Sequence, residues 1–154
     1  MCRPSSDRIE TEGERPRVLS VAVKNDLREI PRLGQLVDRF GRGHRLSAHD
    51  TTDINLILDE IVGNVIKYGF DDSLPHVIQV TVTLEADAAT VRVEDDGKPF
   101  NPFDAPGPDL DLPIEERPVG GLGVFIVKSI AESLDYRRER DRNIVTMRKK
   151  ISGR

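Results

Sequence analysis

Glu60 and Asn64 stand four residues apart, one helical turn, inside a run rich in Ile, Val and Leu, and Lys67 and Tyr68 follow on the next turn. At 100° per residue, Glu60, Asn64 and Lys67 fall within about 60° of one another, along one flank of the apolar stripe. An acid, an amide and a lysine on a half-buried flank are costly unless something satisfies them. Further on, Asp95-Asp96-Gly97 closes an alternating run, and Asp95 keeps the parity of Val91 and Val93. Its carboxylate should therefore point into the core and need a partner, with Asp96 on the exposed parity. Gly120-Gly121-Leu122-Gly123 then opens another apolar run, where free backbone N–H groups at a helix start suit phosphate oxygens. In this order the clusters form a kit for holding a nucleotide with its metal. Taken singly they read more plainly, as a Glu–Lys network on a solvated helix and an acid in a strand-end turn. A dinucleotide fingerprint is excluded, because a Pro-rich loop precedes the glycines and Ile126 fills the third glycine position.

The elements that must position these residues follow from periodicity. Residues 1–16 are polar and read as a mobile tail, ahead of one domain spanning 17–150. Val18 to Val23 is a first strand. Asp26 can cap a helix carrying Leu27, Ile30, Leu33, Val37 and Phe40, which Gly41 and Gly43 end. Ser47 or Asp50 opens the strongest helix, with Ile54, Ile57, Leu58, Ile61, Val62 and Val65 on one stripe. Ile78, Val80, Val82 and Leu84 alternate with polar residues as a strand, and Val91, Val93 and Asp95 as another. Residues 98–119 hold six of the ten prolines and no period, so a long functional loop is expected there. Leu122, Phe125, Ile126, Ile130 and Leu134 predict a final long helix. Strands near Tyr136–Glu139 and Ile144–Lys149 follow, joined through Asp141-Arg142-Asn143. Together these elements predict a two-layer α/β (α+β) sandwich, a mixed and mostly antiparallel sheet with helices on one face.

A chain of 154 residues suits one domain with a real core. Its apolar runs fall far short of the roughly 20 residues that span a bilayer, so no membrane segment is expected. The lone Cys2 has no internal disulfide partner, and the first residues lack the apolar run of a signal peptide, which favours the cytoplasm. The net charge of −4 gives no general case for direct nucleic-acid binding. From Arg137 to Arg154, eight basic residues face two acids, read as a solvated hairpin and tail or as a docking face for an acidic partner. His44, His49 and His76 are scattered and read as surface residues.

Residues from about Val18 to Lys150 resemble the GHKL (histidine-kinase-like) ATPase superfamily, most closely its anti-sigma-factor serine/threonine kinase branch. The carriers are Glu60-Ile-Val-Gly-Asn64-Val-Ile-Lys67-Tyr68 as the N box, Asp95-Asp96-Gly97 as the first glycine box and Gly120-Gly121-Leu122-Gly123 as the second. The resemblance implies a Bergerat-type ATP-binding fold with ATP and Mg²⁺ as cofactors and the 98–119 loop as a nucleotide lid. It implies Asn64 as the Mg²⁺ ligand, Glu60 as general base, and Lys67 and Tyr68 near the phosphates. Asp95 would accept a hydrogen bond from adenine beside Gly97, Gly121, Leu122 and Gly123 would meet the phosphates, and Thr146 would lie near adenine. This chain departs from the branch at Tyr68, where His is frequent, and at Glu132, where Asp is usual. The implied activity is phosphorylation of a Ser or Thr of a small anti-anti-sigma-like antagonist, with a sigma-type factor as a second partner and a homodimer allowed. Alternatives are a non-catalytic ATP-binding module of the same fold, and a histidine-kinase catalytic domain. The last is favoured by Lys67-Tyr68 and disfavoured by the lack of a preceding helical hairpin with a phosphoacceptor His.

Overall fold

The computed structural model of the chain describes residues 17–104, 111–116 and 122–152. The proposed tail at 1–16, Gly120, Gly121 and much of the 98–119 loop lie outside the described residues. Strand β1 (Val18–Lys24) leads through a 3-10 turn (Leu27–Glu29) into helix α1 (Ile30–Gly43). Asp26 caps that turn by accepting from the Arg28 N–H. Ser47 caps helix α2 (Ala48–Tyr68) through the Asp50 N–H, and donates in turn to the Asp50 carboxylate. The polar side chain thereby satisfies an N–H that the helix itself leaves open. Strands β2 (Val77–Leu84) and β3 (Ala88–Asp95) form a hairpin. Helix α3 (Leu122–Ile130), strand β4 (Ser133–Glu139) and strand β5 (Arg142–Lys150) complete the fold.

Among the described residues five strands run in the order β1-β2-β3-β5-β4, and every pairing is antiparallel, against the mixed sheet expected from the sequence. One sheet face carries Val23, Ile78, Val80, Val82, Val91, Val93, Val145 and Met147, all buried. Against it packs the α2 stripe of Ile54, Ile57, Leu58, Ile61, Val62 and Val65, each at most 1% exposed, as the periodicity requires. Leu33 and Val37 of α1 and Val127 of α3 close the same core.

Two sequence expectations fail near the C-terminus. The long helix ends at Ile130, and Leu134 lies in β4 opposite Met147. Leu134 and Tyr136 are half-buried and alternate with exposed residues, a period of two rather than 3.6. Within α3 the buried positions are Val124 and Val127, while Phe125 is exposed. The last hairpin turns on Arg140-Asp141, with φ of 50° and 60°, instead of on Asp141-Arg142-Asn143. Two successive residues with positive φ match the strand twist of a two-residue hairpin. That choice puts Arg142 and Asn143 inside β5, with Asn143 opposite Asp95.

Candidate functional site

The core face of β3, β5 and β4 is ruled in rows. Val91, Met147 and Leu134 form one row, and Val93, Val145 and Tyr136 the next. The last row is polar: Asp95, Asn143 and Arg138, an acid, an amide and a guanidinium side by side. Asp95 is 2% exposed and Asn143 1%. Groups so buried need partners, and the row supplies them. The Asn143 Nδ2 donates to Asp95 Oδ1 at 3.0 Å and to the Lys98 carbonyl at 2.7 Å. Its Oδ1 accepts from the Tyr136 hydroxyl at 2.7 Å, Arg138 Nη1 at 2.9 Å and the Phe100 N–H at 3.3 Å. Arg138 Nη1 also donates to the Gly97 carbonyl at 3.0 Å.

Asp95 Oδ1 takes a second bond from the Gly97 N–H at 2.8 Å. Both bonds end on Oδ1, and among the described residues none reaches Oδ2. Loss of water pushes the Asp95 carboxyl above its ordinary value, against the Asn143 amide and the Gly97 N–H, which favour the charged form. Gly97 itself lies so close to the Gly69 carbonyl and to Asp95 that a Cβ there would collide with both.

The second centre lies where α2 meets α3. Glu60 and Asn64 are half-buried on the flank of α2, and Lys67 and Tyr68 are exposed. The Glu60 carboxylate lies directly on the backbone of Gly123, in the first turn of α3, where a Cβ would overlap it. No hydrogen bond to that carboxylate is present among the described residues. Glu60 and the start of α3, 63 residues apart, are therefore in van der Waals contact only because position 123 has no side chain. Leu122 begins the helix, and Gly121 lies outside the described residues. Tyr68 and Phe100 face each other with ring centroids 6.4 Å apart, and Lys128 of α3 donates to the Phe103 carbonyl at 2.7 Å. The start of the 98–119 loop is thus tied to α2, α3 and β5.

Thr146 does not join the group. It pairs with Arg92 and Asp135, on the parity opposite to Asn143 and Val145, and so belongs to the other face of the sheet from Asp95. Asn143, Tyr136 and Arg138 are the residues that sequence reasoning missed. Their signal was parity, since Leu134, Tyr136 and Arg138 alternate as Val91, Val93 and Asp95 do, but using it requires the hairpin register.

Among the described residues no helix is long and apolar enough to cross a membrane. The sequence model of the histidine kinase-like ATPase domain matches residues 23–149, which takes in α2, β3 and α3 together. The chain is 24% identical over 103 residues to the serine/threonine-protein kinase BtrW of Bordetella bronchiseptica, covering 67% of this chain and 72% of that protein. Among solved structures it resembles the histidine kinase AdeS of Acinetobacter baumannii, with 18% identity and a TM-score of 0.43 over 67% of this chain. It spans 48% of the length of that one.

Proposed function

The chain belongs to the histidine kinase-like ATPase family, and from that premise we propose that it is an ATP- and Mg²⁺-dependent serine/threonine protein kinase of the anti-sigma regulatory type. Its substrate would be a small antagonist protein, and a sigma-type factor would be its second partner. The observation that carries the reading is the contact of the Glu60 carboxylate with Gly123. It puts a free acid beside the helix start that suits phosphate.

The residues fit a nucleotide with its metal. Asp95 Oδ2, which takes no hydrogen bond among the described residues, is an acceptor at the edge of the core suited to an adenine amino group, and Gly97 would let the chain pass close to the base. Asn64 would hold Mg²⁺ through its amide oxygen, a neutral hard ligand that leaves the metal's charge for phosphates. Bound ATP supplies the transferable phosphoryl group, and its metal screens the phosphate charge. Lys67 and Tyr68, exposed at the end of α2, would meet the phosphates from that helix, and Leu122 and Gly123 would meet them from the start of α3. The 98–119 segment would close over the site as a lid. Glu60 would accept the proton of the incoming serine hydroxyl, so that the oxygen attacks as it loses that proton. A relative named as a serine/threonine kinase supports this acceptor over a histidine.

The test is phosphotransfer to a partner captured in the presence of Mg²⁺-ATP. Glu60→Gln keeps the shape and removes the base. ATP affinity should stay within about threefold, while phosphotransfer falls by about 10²–10⁴, the usual contribution of a positioned base. Parental phosphotransfer by that variant would refute the mechanism. If neither protein phosphorylates any captured partner while both bind ATP, the chain is a non-catalytic ATP-binding module.

A further inference from the structure

The segment that leaves α2 at Gly69 and the turn that follows β3 line an open cleft of about 350 Å³ beside the Asp95 row, with Asp71, Asp72, His76, Asp96 and Lys98 in its wall. His76 bridges its two sides. Its Nε2 is 2.7 Å from Asp72 Oδ1, and its Nδ1 is 3.0 Å from Asp96 Oδ1. A carboxylate can only accept, and a neutral imidazole carries one N–H. Both bonds therefore exist together only when the ring is an imidazolium. The ring is fixed in place: it stacks on Phe70 at 4.4 Å with 20° between planes, and its backbone exchanges hydrogen bonds with Asn25. Its side chain is 15% exposed, half sheltered at the protein surface.

The same two segments are joined once more. The Lys98 N–H donates to the Gly69 carbonyl at 2.9 Å, and Lys98 Nζ reaches Asp71 at 2.8 Å. Facing His76 are thus Asp71 and Asp72 from the outgoing segment, Asp96 and Lys98 from the turn, and the uncharged Asn25 from the connection after β1. Without its proton, His76 would no longer place a positive charge between the half-exposed carboxylates of Asp72 and Asp96. Against the outgoing segment the turn would then keep the two Lys98 contacts and at most one of the two histidine bonds.

We propose that His76 is a positioning residue for the nucleotide site, an imidazolium latch that holds the Asp95–Lys98 turn against the end of α2 and makes nucleotide affinity depend on pH. This rests on the reading of Asp95 and Gly97 as the adenine wall. The bond to Asp72 raises the His76 pKa above its ordinary value, burial opposes it, and the bond to Asp96 adds to the rise. A raised pKa fixes the sign: the latch is complete below the ordinary histidine range and is lost as pH rises through the raised value.

Two measurements on the full chain test it. Nitrogen-15 spectra of the nucleotide-free protein should show His76 as an imidazolium at neutral pH, and a single-proton tautomer there overturns the latch. Mg²⁺-ATP affinity should weaken between about pH 6 and about pH 8.5 by about two- to fivefold more in the parent than in His76→Gln, the reach of a solvent-open ion pair. The nucleotide's own ionisation is common to both proteins and cancels in that ratio. His76→Lys, a cation that does not titrate in this window, should keep the low-pH affinity throughout. Identical profiles in all three proteins overturn the proposal while ATP binding stands. If ATP binds at neither pH although His76 titrates as an imidazolium, the adenine-wall reading fails, and with it the role given to His76.

Discussion

Replacing Asn143 by Ala removes one side chain from the centre of five hydrogen bonds, and its cost can be worked out bond by bond. The bond to the Asp95 carboxylate is the strongest, worth about 1.5–3 kcal/mol as a contact with a charged group. Loss of the bonds to the Lys98 carbonyl and the Tyr136 hydroxyl costs about 1 kcal/mol each, less where water enters. Arg138 keeps the Gly97 carbonyl and sits on the edge strand β4, so its loss is small, and the Phe100 contact at 3.3 Å is the weakest of the five. The sum is about 3.5–5 kcal/mol, or ~7–20 °C in Tm for a domain of this size. Urea and thermal unfolding of the nucleotide-free protein measure it. A loss below about 1 kcal/mol would refute the claim that Asn143 anchors the row. Asn143→Asp sharpens the test, since it keeps the acceptor and turns the donor into a second carboxylate facing Asp95. Like charges so close cannot both ionise. That variant should gain stability as pH falls and one carboxyl takes a proton, a slope opposite to ordinary acid unfolding.

Asp95→Asn should leave nucleotide-free stability equal or higher, because it removes a buried charge, while ATP affinity falls by about 1–3 kcal/mol and discrimination against GTP weakens; calorimetry with both nucleotides reads this. Asn64→Ala should remove most of the Mg²⁺-dependent part of ATP affinity, and unchanged Mg²⁺-ATP binding by calorimetry would exclude its metal role. At the opposite end of the sheet, Lys149 is buried and ion-paired with Asp50 at 2.9 Å and Asp53 at 3.0 Å. Lys149→Met should cost about 3 kcal/mol in urea unfolding, since it strands buried carboxylates. Burial raises the Asp50 pKa, but Lys149, the Ser152 N–H and Ser47 together outweigh it and hold the carboxyl below its ordinary value. The stability that Asp50 gives is therefore present above the ordinary carboxylate pKa and lost as pH falls through the lowered one, and Lys149→Met should flatten that acid limb.

Most of the scaffold was legible because its signals are local. The α2 stripe repeats over six apolar positions, and all six are buried. The alternation that led into Asp95 put its carboxylate on the core face without knowledge of any neighbour. What was not legible depends on register between distant segments. The hairpin could turn on Arg140-Asp141 or one residue later, and a slip of one residue exchanges the two faces of a strand. The turn actually used sends Asn143 to the core and Thr146 away from it, so the residue favoured from sequence and the residue found sit three apart on opposite faces. The α3 boundary failed for a related reason. Leu134 fits the helical spacing of Ile126 and Ile130, yet pairing with Met147 of β5 claims it for β4, and the Glu132 N–H already bonds to the Arg148 carbonyl across the sheet. Tertiary pairing overrode a periodicity that was locally sound.

These observations tie the site to the docking of the β4–β5 hairpin on β3. Asp95 closes β3, but the donor that makes its burial tolerable comes from β5, 48 residues later and beyond α3. Until β5 docks between β3 and β4, the Asp95 carboxylate has only the Gly97 N–H and must stay near water. Docking of β5 brings Asn143, and with it Tyr136 and Arg138 from β4, into one connected set that also grips the Lys98 carbonyl and the Phe100 N–H. The same event therefore completes the core, buries the acid with one oxygen left over, and fixes the root of the 98–119 segment. It follows that the β4–β5 hairpin, although remote in sequence from β3, positions both Asp95 and the start of the 98–119 segment. Substitutions at Tyr136 or Arg138 belong with those at Asp95 rather than with changes to an outlying edge strand.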